Sequence, residues 1–477
     1  MTTASRSVSV MELTSHKFKS VSSQKLRDPK VQKALNQAKG KFVVSRAKAV
    51  KDLNNLEEIR QAAADVRNHC LANLDYYLEE WERRATDSGT VVHWAESAEE
   101  LNSIVANIAK ENEVKKIIKS KSMIGEETGL NRFLEGHGID VKETDLGEYI
   151  IQQAGEHPSH IIAPATHKSK DDIADLFAEK HGRQRLDDIE KLTHEAREIL
   201  RPHFLDADMG ITGANFMIAE TGSTVIVTNE GNGRMTTTMP RIHVAISSIE
   251  KCLPTLDDFA LIMRLLPRSA TGQAISNYVS MTTGAKKLGD HDGPEQFHVV
   301  ILDVGRSRVL GSELRDALRC IRCGACMNHC PVYQNIGGHS YGWVYPGPIG
   351  SVLTPAYKGI ENAIDLPNAA TFCNQCGVVC PVKIPLPDLM RKLREKQFEK
   401  NLKSVSERWS LKIWVYCATR PRLYAVVTRI LGRLGKMLGG QKGYIRKIPL
   451  LDSEWTSHRD LPAPRGRTFR DIYSHKR

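Results

Sequence analysis

Seven of the ten cysteines lie between Cys320 and Cys380, in two runs of nearly the same spacing. The first is Cys320-x2-Cys323-x2-Cys326-x3-Cys330-Pro331, and the second is Cys373-x2-Cys376-x3-Cys380-Pro381. Disulfide frameworks belong to small secreted domains; a tight cluster in a long chain points to metal binding. The first run has the bacterial ferredoxin spacing, in which the fourth cysteine ligates the other of two clusters. Three thiolates at short spacing wrap one face of a cubane while loop amides point at its sulfides. The fourth begins a segment that leads away, and the proline after it stops further wrapping. Crossing over assigns Cys320, Cys323, Cys326 and Cys380 to one iron–sulfur cluster and Cys330, Cys373 and Cys376 to a second.

Both clusters are expected to be [4Fe-4S], but the second is one ligand short. Counting back from Cys380, the absent cysteine falls at Ala370, which has no ligating atom. That site is then a three-iron cluster, or a four-iron one whose last iron takes water, another side chain or a partner's group. His329 and Asn374 are the nearest side chains in sequence. Two Cys-x2-Cys pairs also suit zinc, but seven cysteines do not divide into four-ligand sites. Cys70, Cys252 and Cys417 stand apart in apolar or helical surroundings, as buried free thiols do.

A chain of 477 residues suggests two or three domains, and 41% hydrophobic residues suffice for real cores. Met1–Ser20 lacks the apolar stretch of a signal peptide, and no run nears the roughly 18 apolar residues of a membrane span. The expectation is a cytoplasmic protein. The formal charge of +11 is concentrated: residues 401–477 hold 17 Lys/Arg against 5 Asp/Glu. Such a tail suits an acidic partner or anionic lipid, placing the protein at the inner face of a membrane as a peripheral component. No nucleic-acid motif accompanies it.

Residues 1–50 read as a loosely helical or frayed segment. From Leu53 to Ala85 the apolar positions recur at helical spacing. Strand and helix patterns then alternate: strands at Thr90, Lys115, Gly138 and His160–Pro164, helices at Ala98–Lys110 and around Leu130. Asn215–Glu220 and Ser223–Asn229 flank a Thr221-Gly222 turn as a hairpin, and Arg241 and Gln296 open further strands. The alternation predicts an α/β domain over 51–304 with a largely parallel sheet. A helical cysteine module follows over 305–400, then the basic region 401–477. There, Leu423, Val426, Val427, Ile430, Leu431, Leu434 and Leu438 share one side of a helix, suited to a membrane surface, a partner or the chain's own core.

Several stretches carry a resemblance beyond the cysteines. They are Lys119-Ser-Lys-Ser-Met123, Glu143-Thr-Asp-Leu-Gly-Glu148, Pro158-Ser-His-Ile-Ile-Ala-Pro164, and Gly210–Asn215 through Ala219–Gly222 to Asn229–Arg234. With the missing eighth cysteine and the tail Pro462–Arg470, they resemble the lactate utilisation protein B family over nearly the whole chain. The resemblance implies a LUD-type α/β domain similar to sugar-phosphate isomerases and CoA transferases. It further implies an all-α ferredoxin-like two-cluster module and a basic helical tail. The implied role is electron relay in oxidising L-lactate to pyruvate. Its implied partners are two companion proteins, a cysteine-rich iron–sulfur subunit and a second LUD-domain subunit.

Oxidising a 2-hydroxy acid needs a base, a carboxylate clamp and an electron acceptor. In the run Asn229-Glu-Gly-Asn-Gly-Arg234, Gly231 and Gly233 let backbone amides approach a ligand, and Arg234 has the fork for a carboxylate. Glu220 and Glu230 are candidate acids or bases; a hairpin with locally satisfied polar groups explains them equally well. His157, His160 and His167 are further candidates, more often structural at such positions. No G-x-G-x-x-G follows a strand, so no dinucleotide site is evident. The chain is therefore expected to conduct electrons taken elsewhere. The alternatives are an enzyme whose first domain binds the acid while the clusters drain it, and an iron–sulfur sensor.

Overall fold

The computed structural model describes residues 12–446 and 460–474. They fall into two compact units, one up to Lys396 and one from Gln397.

The first unit is built on a six-stranded sheet of β1 (Thr90–Ala95), β2 (Lys116–Lys119), β3 (Asp140–Glu143), β4 (Met209–Gly213), β7 (Ile242–Ser248) and β10 (Gln296–Leu302). Their order is β1-β10-β7-β4-β2-β3, and every pairing is parallel. All seven residues of β7 are buried, as a strand covered on both faces requires. Successive residues of β2 serve opposite faces: Ile117 joins Leu101, Val105, Val244 and Val300 on one side, Ile118 joins Tyr149, Phe177 and Leu200 on the other. Two crossover helices start at side-chain caps, Ser97 before Ala98–Glu111 and Asp145 before Leu146–Ala154.

A smaller sheet follows, in the order β8 (Cys252–Leu253), β5 (Phe216–Ile218), β6 (Ser223–Thr228), β9 (Tyr278–Thr282). The expected hairpin is its β5–β6 pair, antiparallel with Phe216 opposite Val225.

One expectation needs correction. His160–Pro164 is no strand: the Ile162 and Ala163 amides donate to His160 Nδ1 at 2.9 and 3.1 Å, so neither is free for a ladder. Of the two readings of the N-terminal segment, the helical one holds from Phe18 onward, as helices Phe18–Arg27 and Pro29–Lys51, with the Asp28 carboxylate capping the second. The helical spacing from Leu53 is that of two helices, Leu56–Ala72 and Leu74–Asp87, which meet at Asn73.

The cysteine module packs within the first unit. Among the described residues no strand lies between Leu302 and Tyr444. Short helices Ala325–Asn328, Tyr333–Ile336 and Gln375–Val378 alternate with turns around the longer Gly347–Lys358, and Leu386–Glu399 follows. The N-terminal helices clasp it: Ser15 Oγ donates to Tyr341 O at 2.8 Å, Gln32 Nε2 to Asn335 O at 2.7 Å, and Arg46 to Val379 O at 2.9 Å.

The second unit holds helices Val405–Ala418 and Pro421–Gly439, split where the sequence places Pro421. Gly435 and Gly439 let Pro464 and Ala463 pack against the second helix, where a side chain would collide. A two-residue ladder joins Tyr444–Ile445 to Leu461–Pro462, and a short helix, Phe469–Ser474, ties back through an Asp471–Arg429 ion pair of 2.7 Å. The described stretch 460–474 therefore has some local order; residues 447–459 and 475–477 lie outside the described set.

Candidate functional site

The two cysteine runs are conformational copies. Arg322 and Gly324 take left-handed φ of 58° and 73°; fifty residues on, Phe372 and Asn374 take 53° and 63°. In each, the second left-handed residue precedes a four-residue helix carrying Cys326 or Cys376. The offset pairs Cys323 with Cys373, Cys326 with Cys376 and Cys330 with Cys380, and it sets Cys320 against Ala370.

Cys320, Cys323, Cys326 and Cys380 line a single small cavity. Backbone amides point at its sulfurs: Arg322 N–H lies 3.4 Å from Cys320 Sγ and Ile384 N–H 3.3 Å from Cys380 Sγ. Burial and then the neighbouring Cys380 push the Cys323 thiol far up, and burial with Cys320 and Cys323 does the same to Cys326. Four thiols so placed give up their protons to a cation and not to solvent. This donor set fits a cubane of iron.

The other three cysteines also interact with one another: Cys330 senses Cys373, and Cys376 senses Cys330 and Cys373. Burial lifts Cys376 to about 12. Cys373 is different, exposed and lowered by the Gln375 amide. Of the two candidate fourth ligands, His329 uses Nδ1 on the Ala325 carbonyl at 2.9 Å, and Asn374 supplies the left-handed turn. Cys70 and Cys252 are buried and adjacent, with Cys70 Sγ 3.2 Å from Cys252 O; Cys417 is half-buried.

A buried charge network ties the first cysteine loop to the sheet. Glu250, just beyond β7, meets Arg306 at 3.0 Å and Arg322 at 3.1 Å. Arg306 also pairs with Glu127 at 2.7 Å, and Tyr345 donates to Glu127 at 2.8 Å. Arg322 stacks 4.5 Å over the Tyr345 ring. Burial alone would raise the Glu250 carboxyl, but Arg306 and Arg322 outweigh it and hold it at about 2. Arg67 spans the gap, donating to Glu250 O, Cys252 O and Leu318 O.

A cavity of about 560 Å³ lies at the carboxyl ends of β2 and β4, where open parallel sheets bind ligands, and at the end of β6 of the smaller sheet. Ser120, Gly213 and Thr228 mark those strand ends, and Ile321 and Arg322 of the cysteine loop complete the wall. Of the residues expected from sequence, Asn229 and Glu230 line it. Burial, then Asp145, raises the Glu230 carboxyl. Glu220 and Arg234 do not line it. The Glu220 carboxylate accepts from Leu256 N–H at 2.8 Å, and Arg234 is exposed on the helix Asn232–Thr238.

The histidines serve structure. His160 is buried, bonded to Asn328 at 2.8 Å, and sits under Gly324, with burial holding it at about 4. His167 bonds Glu156 at 2.7 Å and Ser159 at 2.9 Å; His157 meets Arg132 at 3.4 Å. Glu156, His167 and His339 cluster closely enough for a cation, but Lys168 already neutralises Glu156.

Sequence reasoning missed Lys251, Lys121 and Asp145 on the cavity wall. The available signal for Lys251 was a lysine three residues beyond the end of the largely apolar strand Ile242–Ser248. Burial and Arg322 lower its ammonium to about 8, against the opposing pull of Glu250 and Cys320.

Family models match the chain in three consecutive parts: a LUD domain over residues 78–302, a 4Fe-4S dicluster domain over 316–384, and the C-terminal region of lactate utilisation protein B over 390–477. Lactate utilization protein B of Bacillus licheniformis is 43% identical, over 98% of both chains. The chain belongs to the lactate utilisation protein B family. The Bacillus subtilis protein of that name is 42% identical over 97% of both chains. An uncharacterized electron transport protein of Escherichia coli, YkgF, is 42% identical over 96% of both. A crystal structure of a DUF162 family protein from Deinococcus radiodurans aligns with 48% of this chain and 98% of its own, at 14% identity and a TM-score of 0.28; that likeness is too weak to add to the fold. In this family member the cysteine module is an iron–sulfur one.

Proposed function

We propose that this protein is the electron-relaying component of a three-protein system that oxidises L-lactate to pyruvate. Electrons pass through two clusters held in an all-α, ferredoxin-like module. Cys320, Cys323, Cys326 and Cys380 hold the first, and Cys330, Cys373 and Cys376 the second, which is a three-iron cluster or has a non-cysteine fourth ligand. One observation carries the reading. The first cysteine set is enclosed beside a cavity, whereas the second includes the exposed Cys373. An enclosed site protects a cluster that receives electrons internally, and an exposed one meets a partner. A cysteine-rich iron–sulfur protein and a second LUD-domain protein are the proposed partners.

The second unit docks the assembly at the cytoplasmic face of an anionic membrane. Trp409, Trp414, Ile430 and Leu434 are exposed there among an excess of Lys and Arg. No described helix is long and apolar enough to cross a membrane.

The test is EPR with iron and sulfide analysis on anaerobically purified protein, oxidised and dithionite-reduced. About seven to eight irons with interacting signals on reduction are expected for two clusters. Zinc without a paramagnetic signal, after attempted reconstitution, would sink the reading.

The cavity favours a second reading, in which the first domain itself oxidises the hydroxy acid. Bleaching of the single purified chain by L-lactate would support that; bleaching only with the companion proteins supports relay.

A further inference from the structure

The 560 Å³ cavity and the cavity of the first cysteine set share three lining residues, Ile161, Ile321 and Arg322. One layer of side chains therefore separates whatever fills the larger cavity from the cluster. The volume matches pockets that enclose cofactor-sized molecules; a three-carbon acid alone would leave most of it to water.

The wall is chemically mixed. Glu230 interacts with Asp145 and Lys121, and Lys121 also donates to Ile162 O at 2.9 Å and lies 3.6 Å from Glu148. Lys251 and Arg322 interact with each other. Ile124, Ile226, Leu266 and Pro267 add apolar lining. Arg322 is committed to Glu250 through Nη2 and to the Tyr345 ring. Lys251 is not committed: it has through-space neighbours but no hydrogen bond or ion pair among the described residues. A cation taken partly out of water and left without a partner calls for an anion. Glu250, the carboxylate beside it in sequence, is already occupied by Arg306 and Arg322.

We infer that this cavity binds an organic anion beside the first cluster, with its carboxylate or phosphate head on Lys251 near Arg322 and its body against the apolar wall. The inference rests on the cluster assignment proposed above and adds to it a ligand site in the LUD domain. The shared chemistry has two sources, a 2-hydroxy or 2-oxo carboxylate and a phosphate-bearing redox cofactor.

The experiment is isothermal titration of anaerobic, cluster-replete protein with L-lactate, pyruvate and flavin mononucleotide separately, and EPR of the reduced protein with and without each. Saturable binding of at least one probe is expected, with a shift of the first cluster's signal. Binding of a three-carbon acid identifies the carboxylate source, and binding of the flavin nucleotide the phosphate source. Lys251→Met should weaken binding at least tenfold, Lys251→Arg should restore most of it, and the surface variant Lys180→Met should leave it unchanged.

If none of the three probes binds while both cluster signals are intact, the cavity assignment is overturned and electron relay stands. Binding that is indifferent to Lys251→Met, with only the cluster potential altered, also overturns it, since Lys251 then serves the cluster alone. Protein without iron would defeat the relay reading separately, and calorimetry would still decide the cavity.

Discussion

Replacing Glu250 by Gln removes the one carboxylate that Arg322 holds and one of two held by Arg306. Glu250 is 1% exposed, so the stranded guanidiniums cannot recover their hydration. Holding a carboxyl at about 2 instead of 4.5 corresponds to about 3 kcal/mol of interaction with its surroundings. Breaking a buried pair by removing one partner typically costs about 3–5 kcal/mol, and the two figures agree. Arg306 keeps Glu127 and is buffered, so the damage should concentrate at Arg322, between Cys320 and Cys323. Expected are a loss of about 3–5 kcal/mol in urea unfolding of the holoprotein and faster loss of the first cluster to chelator, with the second unaffected. A loss below about 1 kcal/mol, or equal lability of both clusters, would refute the claim that this network anchors the first cysteine loop.

Ala370→Cys adds the cysteine that the fifty-residue offset leaves out; it should give the second site four irons on four cysteines and slow its loss in air, read by EPR and iron analysis. His243 is buried, bonded to Thr212 at 2.8 Å, and burial holds it at about 3. Because the unfolded chain takes up that proton near 6.5, stability is full above 6.5 and falls towards pH 3 by up to about 1.4 kcal/mol per pH unit; His243→Gln should flatten the slope between denaturation curves at pH 7 and pH 5. The second unit should carry the protein onto vesicles containing anionic lipid but not onto neutral ones, with binding lost in high salt; Trp409→Ser with Trp414→Ser should reduce sedimentation several-fold, and equal binding to neutral vesicles would contradict the charge argument.

The parallel sheet was legible because its strands carry uninterrupted apolar runs that periodicity detects without knowledge of partners. Cysteine spacing pointed to the grouping of Cys380 with Cys320, Cys323 and Cys326 around one cavity for a similar reason: the run is local except at its last residue, and Cys-Pro marks that exception. His160–Pro164 misled because a histidine nitrogen, which hydropathy does not weigh, captured two amides. Glu220 looked chemical only because its backbone partner, Leu256 N–H, lies 36 residues away. The part of the cavity wall with Lys251 was invisible because it joins residues from just beyond β7 and the cysteine loop, over 70 positions apart. Glu230 was found through its glycine-rich setting, although Arg234 from the same run turns outward.

The unequal exposure of the two cysteine sets has a consequence for failure. Dioxygen and peroxide reach the bare terminal at Cys373 before the sealed one. If the proposed relay holds, oxidative damage would open the circuit at its outlet first and spare the enclosed centre. The exposed site would then act as a fuse, and rebuilding it alone should return the protein to service.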